Sequence, residues 1–519
     1  MSFIVGIDKG TTATKAVVFN ASTGKVVGSA NRATRALHPH SGWHEEDMEV
    51  TFDRVAECIR AAISDAGLTG EDISGVGVSG HMGGLWALDA DGRPAGHAIA
   101  WPDARAGEIV AGWTRDGRMD EIYEISGNAP IPGVPLALLA WMKANNPDRF
   151  ASLHQIAFAK DYINYRLTGR FVTDESDISF FPCDIRKRAY SSRLLDIVGI
   201  PEVAEKLTEV LPTGSLVGEV TPEAAELAGL KSGTPVVTGA GDAVSAALGA
   251  GAVLPGQAVT VIGTSFMNNL TTDRPVMEPP GVGFLFLMPD GAWQKLMANT
   301  GGGSLCLDWA LRAFDNDRLT AAGEDRADYF ATIEAEASAV APLANGVFSH
   351  PYFNTSGMSA PRFIPEARAS IFGFDTSTGS AQMVRSVMEG VALSMVDCYA
   401  ALDGTVDEIR LTGGGARSRL WARICAAAMN RPLGLLEAEE TGALGVAVLA
   451  AVATGQHPDL AAGTQAMVRL ADTVEPDPDL AAIYADAYPL FRDLGRDLEP
   501  LWRERADILS KQGQRQENP

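Results

Sequence analysis

A chain of 519 residues, 46% hydrophobic and 21% charged, carries enough apolar material for more than one core. Its 42 Lys and Arg stand against 65 Asp and Glu. The formal net charge is −23 and the pI about 4.8, which argues against nucleic-acid partners and an anionic membrane surface.

The opening MSFIVGIDKG lacks a basic stretch followed by an apolar one, so no signal peptide is read there. FIVGID (3–8) and TKAVVF (14–19) predict two strands joined by the turn KGTTA, and 25–32 a third. At 51–66, Val55, Ile59 and Ile63 recur at helical spacing, and ISGVGVS (73–79) returns to strand chemistry. This β-β-β-α-β order differs from a Rossmann start, where a helix follows the first strand directly. An apolar run, 234–237, enters GAGDA (239–243), and a helix-like run continues to Ala250. AVTVI (258–262) reads as a strand, GTS as a turn and FMNNLTTD as a returning strand. VGIDKGTT and TVIGTS thus both carry a strand into Gly-Thr-Thr/Ser, half the chain apart. A weak internal repeat of this size suggests two similar domains facing each other.

Residues 381–399 predict a long helix, and 406–412 a strand entering Gly413-Gly414-Gly415. A helix over 418–430 ends before Pro432. The Ala-rich run 441–455 suits a core helix better than a membrane span. Residues 478–510 read as amphipathic helix, followed by a polar tail. The five cysteines (58, 183, 306, 398, 425) are scattered without a CxxC pair, so no zinc knuckle or disulfide framework is indicated and a reducing cytoplasm fits.

Four Gly-rich turns follow strands: 8–14, 239–242, 263–265 and 413–415. Glycine lets backbone N–H groups approach a phosphate, and Thr or Ser hydroxyls add donors. Tight hairpins also favour these residues, so any one turn alone is weak evidence. A P-loop pattern is absent from the sequence. Asp8 sits just before the first turn, where a carboxylate would repel phosphate unless a metal lay between them. Mg²⁺ prefers such hard oxygen donors.

The pattern Asp8-x-Gly10-Thr11-x-x-x-Lys15, followed in order by GWHEED (42–47), SGHMGG (79–84), WPDAR (101–105), GAGDA (239–243), IGTS (262–265), GGGS (301–304) and LTGGGARS (411–418), resembles the FGGY carbohydrate kinase family. The resemblance covers nearly the whole chain. It implies an α/β fold of two actin-like (ribonuclease-H-like) domains with a catalytic cleft between them. Residues 1–243 would form the sugar-binding domain, and 244–519 the nucleotide-binding domain with C-terminal helices. It also implies ATP- and Mg²⁺-dependent phosphorylation of a sugar or polyol hydroxyl.

Asp242 is the position the resemblance makes the general base. At a helix N-cap its carboxylate would be held ionised at neutral pH. The resemblance places Asp8 and Asp242 at the metal. Thr11, Thr12, Lys15, Gly263 and Thr264 would lie on the phosphates, and Gly301, Gly302, Gly303, Gly413, Gly414 and Gly415 along the nucleotide, with Asn430 near the base. The sugar would meet His81, Met82, Trp101, Asp103 and Asp242, with Arg105 behind them.

Departures narrow the substrate. Xylulose kinases typically show Gln-Met-His-Gly where this chain has His81-Met82-Gly83-Gly84, and Pro102 removes a polar side chain. The Arg-Glu pair that glycerol kinases carry in the first loop is not seen there in this chain. The chain looks closer to L-xylulose and erythritol kinases, which points to a four- or five-carbon ketose or polyol. Xylulose-, ribulose-, glycerol- or gluconate-type kinases are alternatives within the family. A non-metabolic actin-fold ATPase or a sugar sensor is the alternative from another class. No nucleic-acid or membrane partner is expected, a homodimer is among the assemblies the resemblance allows, and the expected location is cytoplasmic.

Overall fold

A computed structural model describes residues 2–323 and 326–517; the end of the polar tail, 518–519, lies outside them. Two sheets organise the chain. The first contains β1 (Phe3–Lys9), β2 (Ala13–Asn20) and β3 (Val26–Ala33). Helix α1 (Met48–Asp65) and β4 (Ile73–Gly80) follow. After a largely helical insertion containing α2 (Ala159–Thr168), the sheet is completed by β5 (Leu216–Glu219) and β6 (Pro235–Gly241). The order is β5-β6-β4-β1-β2-β3. Strands β1, β4 and β6 run parallel; β2 and β3 fold back antiparallel, as does β5 at the other edge.

Helix α3 (Asp242–Gly249) leads to the second sheet. Its strands are β7 (Gln257–Ile262), β8 (Phe266–Thr272), β9 (Phe284–Leu287) and β10 (Trp293–Asn299). Helices α4 (Ser304–Phe314) and α5 (Ser380–Ala400) precede β11 (Glu408–Thr412), and α6 (Arg419–Met429) precedes β12 (Leu433–Leu436). Then come α7 (Thr441–Ala453), β13 (Leu470–Val474) and the terminal helix α8 (Pro478–Glu517). The order is β9-β10-β8-β7-β11-β12-β13. With β7, β8, β10, β11, β12 and β13 set against β1, β2, β3, β4, β6 and β5, every pairing and direction of the first sheet recurs. The repeat suggested by Thr11 and Thr264 is therefore a repeat of topology, in which both threonines follow the first strand of equivalent hairpins.

Strand alternation explains the layers. Val5, Ile7, Ala16 and Val18 face α1, where Phe52, Val55, Ile59 and Ile63 join one core. Each such side chain contributes about 1.5–3 kcal/mol on burial. Asp47 starts α1 by accepting the N–H groups of Glu49 and Val50. Ile4, Val17 and Phe19 face the other way. They share a second core with Val244 and Leu248 of α3, Leu444 and Val448 of α7, and Val259, Phe286 and Leu296 of the second sheet. Helix α7 is apolar all round because it is enclosed between the first sheet and α3.

That enclosure requires close backbone contact. A Cβ on Gly6 would lie 2.1 Å from the Ala443 carbonyl oxygen, and one on Gly77 2.2 Å from that of Val446. A Cβ on Gly249 would lie 1.8 Å from the Thr441 carbonyl oxygen, and one on Gly445 2.0 Å from that of Ser245. The strand glycines that weaken a propensity reading are the ones that admit α7. The strand ends bearing the Gly-rich turns are thereby tied to a helix shared by both halves.

Candidate active site

The first parallel strands end in acids. Asp8 lies near the end of β1, opposite Lys15 of β2 and Ser79 of β4 in register. Burial, with the charge of Glu440 behind it, raises the Asp8 carboxyl to about 6 against the pull of Lys15, Ser79 and Lys9. The start of α7 presses on it: a Cβ on Gly442 would sit 3.0 Å from Asp8 Oδ2. Lys15 donates to both Glu440 oxygens at 2.8 Å, joining β2 to the residue before α7. A cavity of about 790 Å³ flanks this pair, lined also by Lys25, Asn31, Glu437 and Arg469; its lining includes neither Asp8 nor Asp242.

Asp242 differs from its sequence expectation in two ways. Gly241 occupies the N-cap, and Asp242 is the first residue of α3, its Oδ1 accepting the Ala243 N–H at 2.8 Å. Its carboxyl is not held low by the helix end. Burial first, then the charge of Asp8, pushes it up to about 7, while the Ala243 and Met82 backbone bonds pull only partly against them. A carboxylate titrating near neutrality can accept a proton in one step and release it in the next. The reason lies in the turn: a Cβ on Gly239 would stand 1.7 Å from the Val78 carbonyl oxygen, and one on Gly241 2.4 Å from Met82 Cγ. The chain is thus pressed against β4 and the SGHMGG loop, with Gly239 and Gly241 buried and Asp242 half-buried.

The second half supplies neutral cradles. Gly263-Thr264-Ser265 is fastened to Gly301-Gly302-Gly303, with Ser304 N donating to the Gly263 carbonyl at 2.6 Å and Gly303 N to that of Thr264 at 3.3 Å. A Cβ on Gly303 would come 2.2 Å from the Gly263 oxygen. Gly413 has φ +91° and packs on Ile262, the residue before Gly263, whereas a Cβ on Gly414 would meet open space. The three turns therefore surround the end of β7, with exposed Thr264 and Gly414 on the open side. Asn430 closes α6 in a left-handed conformation, φ 47°, which accounts for an Asn there.

The proposed sugar contacts separate. Met82 is buried beside Gly241 and Asp242. Trp101 is 41% exposed, and its indole N–H donates to Thr11 Oγ1 at 2.8 Å, tying the WPDAR loop to the first turn, where Thr12 is exposed. His81 and Asp103 are each only 1% exposed. His81 stands 3.6 Å from Glu46, which also pairs with buried Lys9 at 3.0 Å, and burial holds the imidazole below its ordinary range. Asp103 takes Arg105 bidentately, at 2.8 Å on each oxygen, as well as the His44 and Arg105 backbone N–H groups. Arg105 further reaches Glu45 at 2.7 Å and stacks 3.7 Å over Trp43. Of the four, His81, Asp103 and Met82 are buried, and Trp101 alone is exposed.

Sequence reasoning gave no role to Glu440, Glu46, Lys9 or the buried group Lys160, Asp161 and Asp174. Charged residues in mixed runs such as EAEET ordinarily read as solvated surface, and only the fold shows these buried or cross-linked.

Two carboxylates, Asp8 and Asp242, close enough for one to lift the other's pKa, with the nearest lysine already engaged, fit a divalent cation. Mg²⁺ uses one or two protein carboxylates and takes its remaining ligands from water and phosphate. Among the described residues no group of three or more His, Cys, Asp and Glu is arranged around a metal position. All five cysteines are free and buried, and no described helix is long and apolar enough to cross a membrane.

Residues 3–249 match the N-terminal domain of the FGGY family of carbohydrate kinases, and residues 258–454 match its C-terminal domain. The erythritol kinase of Brucella abortus is 29% identical over 509 residues, covering 96% of this chain and 97% of that protein. The L-xylulose/3-keto-L-gulonate kinase of Escherichia coli is 29% identical over 501 residues, 94% of this chain and 96% of that one. The crystal structure of gluconate kinase from Lactobacillus acidophilus superposes with a TM-score of 0.86 at 25% identity, covering 97% of this chain and 99% of that one.

Proposed function

The chain belongs to the FGGY family of carbohydrate kinases, and from that premise we propose that it transfers the γ-phosphoryl group of ATP to a hydroxyl of a neutral four- or five-carbon ketose or polyol, with Asp242 as general base. Sugar kinases of this family use ATP. The observation that carries the base assignment is the Asp8–Asp242 arrangement, in which a carboxyl raised to about 7 directly follows β6 and feels the Asp8 charge at the end of β1. Residues 1–243 would hold the sugar and 244–519 the nucleotide.

The chemistry follows from the positions. The sugar lies against Met82 and Trp101 with its reacting hydroxyl at Asp242. The hydroxyl oxygen attacks the γ-phosphorus, the bond to the β-phosphate oxygen breaks, and the hydroxyl proton passes to Asp242 as the O–P bond forms. Thr11, Thr12, Gly263 and Thr264 present hydroxyl and backbone donors to the phosphates from both halves. Gly301–Gly303 and Gly413–Gly415 leave room for the nucleoside. Asp8 and Asp242 would hold Mg²⁺, which supplies charge neutralisation to the phosphates. Closure of the cleft would exclude water that could otherwise take the phosphoryl group.

A neutral acceptor is favoured over an acid sugar by one observation. The cations nearest the sugar loops, Lys9 and Arg105, are already held by Glu46 and by Asp103 and Glu45. A sugar carboxylate would find no uncommitted charge there. The relative named for erythritol agrees with this, the one named for L-xylulose and 3-keto-L-gulonate spans a neutral and an acid sugar, and the gluconate kinase marks the alternative.

The test is MgATP-dependent ADP release across tetritols, pentitols, ketopentoses, glycerol and gluconate. A strong response to one neutral four- or five-carbon compound is expected. A response to gluconate alone would overturn the neutral-acceptor reading. ATP hydrolysis indifferent to every compound would point to an actin-fold ATPase. Replacing Asp8 by Ala is expected to raise the Mg²⁺ concentration for half-maximal rate by about tenfold, on the scale of losing one metal-site ligand or its support. An unchanged Mg²⁺ titration would remove Asp8 from the metal site.

A further inference from the structure

Directly behind the catalytic turn lies a buried group of four charged residues from three elements. Lys160, on α2, pairs with Asp161 at 2.5 Å, with Asp174 at 2.8 Å and with Asp177 at 3.1 Å. Asp174 ends the short strand Thr173–Asp174, and Asp177 belongs to the short helix Glu175–Ile178. All four side chains are at most 1% exposed. Three carboxylates around one ammonium are costly to bury, and a packed apolar cluster would be as stable or more so. The arrangement calls for a role beyond stability.

The hydrogen bonds of Ser176 supply one. Asp174 Oδ2 accepts the Ser176 hydroxyl at 2.7 Å, the Ser176 N–H at 3.0 Å and the Thr213 hydroxyl at 2.6 Å. The one hydroxyl proton of Ser176 is therefore committed to Asp174. Its oxygen is left free to accept, and it takes the Gly241 N–H at 2.9 Å. Gly241 is the residue before Asp242. On its other side it is pressed by Met82 and by Asp177, whose Oδ1 would lie 3.0 Å from a Cβ placed there. The peptide that aims Asp242 is thus held by one hydroxyl whose direction is set by a buried, lysine-anchored carboxylate.

We propose that Ser176 is a positioning residue for phosphoryl transfer: anchored by Asp174 and Lys160, it fixes the Gly241 peptide and so the place and orientation of the Asp242 carboxylate. This rests on Asp242 being the general base. Ser176 touches neither the reacting atoms nor the nucleotide turns, so its loss should fall on kcat and leave the KM for ATP alone.

The experiment compares Ser176→Ala, Ser176→Thr, Thr213→Val and Asp242→Asn, using the sugar that responds best. Ser176→Ala is expected to lower kcat by about tenfold, since a displacement well under 1 Å is at stake and 1 Å costs about a hundredfold. The KM for ATP and the thermal midpoint should stay near wild type. Ser176→Thr, which keeps the hydroxyl, should restore most of the rate. Thr213→Val removes a donor to the same Asp174 oxygen without touching the Gly241 amide, and should retain kcat. A Ser176→Ala protein that does not fold is replaced by Ser176→Cys, whose weak acceptor should give the same loss. A serine variant with wild-type kcat beside an inactive Asp242→Asn overturns the positioning role. Equal losses in the Ser176 and Thr213 variants do so too, because they show a general effect of the cluster. An Asp242→Asn enzyme that retains kcat instead overturns the base assignment on which the proposal stands.

Discussion

Asp242→Asn is expected to lower kcat by about a hundredfold or more, the usual size of a general-base contribution, while the KM for ATP changes little. The amide keeps the size of the carboxylate and the bond from Ala243 but cannot accept the hydroxyl proton. The pH dependence gives a second reading of the same residue. With its carboxyl raised to about 7, wild-type kcat/KM should fall as the pH drops through 7, because a protonated Asp242 has no vacancy for the proton. The variant should lose that limb. Stability should move the other way. The folded-state value lies above the ordinary 3.8, so the wild type is penalised as pH rises from 3.8 to about 7, and the variant is spared that penalty. Its thermal midpoint should equal or exceed that of the wild type at pH 8, with the difference closing at low pH. A variant with kcat within about threefold of wild type would remove Asp242 from the proton's path.

The turn bearing Asp242 also shows which parts of the molecule were legible in the sequence. Strong periodicity gave β1, β2, α1, β4 and β7 to within a few residues, because each has one apolar face and a polar turn at its end. The Gly-rich turns announced the strand ends. The charge state of Asp242 was not legible. A helix N-terminus stabilises an anion, and read locally it should keep the carboxyl ionised. The fold brings two opposing influences that no local window contains: burial against β4, and Asp8 arriving from a strand more than two hundred residues earlier. Together, burial and the second carboxylate outweigh the helix end.

His81 and Asp103 illustrate the same limit. Their motifs put them in the candidate sugar loops, but His81 is turned inward by Glu46 from elsewhere in the chain, and Asp103 by Arg105 within its own motif. The run EAEET reads as solvated surface, yet Glu440 crosses to Lys15 because α7 carries it to the edge of β2. Contacts that join the two halves are invisible to a sequence window for the same reason that they suit function. Each couples a Gly-rich turn or a candidate sugar loop to an element on which the rest of the fold depends.

Lys160→Met should produce the largest loss of stability. The substitution leaves Asp161, Asp174 and Asp177 buried without their shared cation, and stranding buried charge costs about 3–5 kcal/mol. For a domain of this size that is on the order of 10 °C in thermal midpoint. The loss should depend on pH with a definite sign. Burial already raises the Asp161 carboxyl to about 6 and holds Asp177 above its ordinary range, with Lys160 pulling both back. Without Lys160 these folded-state values rise further. A carboxyl raised on folding disfavours the native state only once it ionises, so the penalty is absent at low pH and grows as pH rises through the raised values. The deficit of the variant should be wide at pH 8 and narrower at pH 5.5. Thermal unfolding at the two values decides: a deficit of equal size at both, or none at pH 8, would mean that the three carboxylates do not depend on Lys160. In that case the anchoring of Ser176, and through it of the Gly241 peptide, would have to come from Asp174 and Thr213 alone.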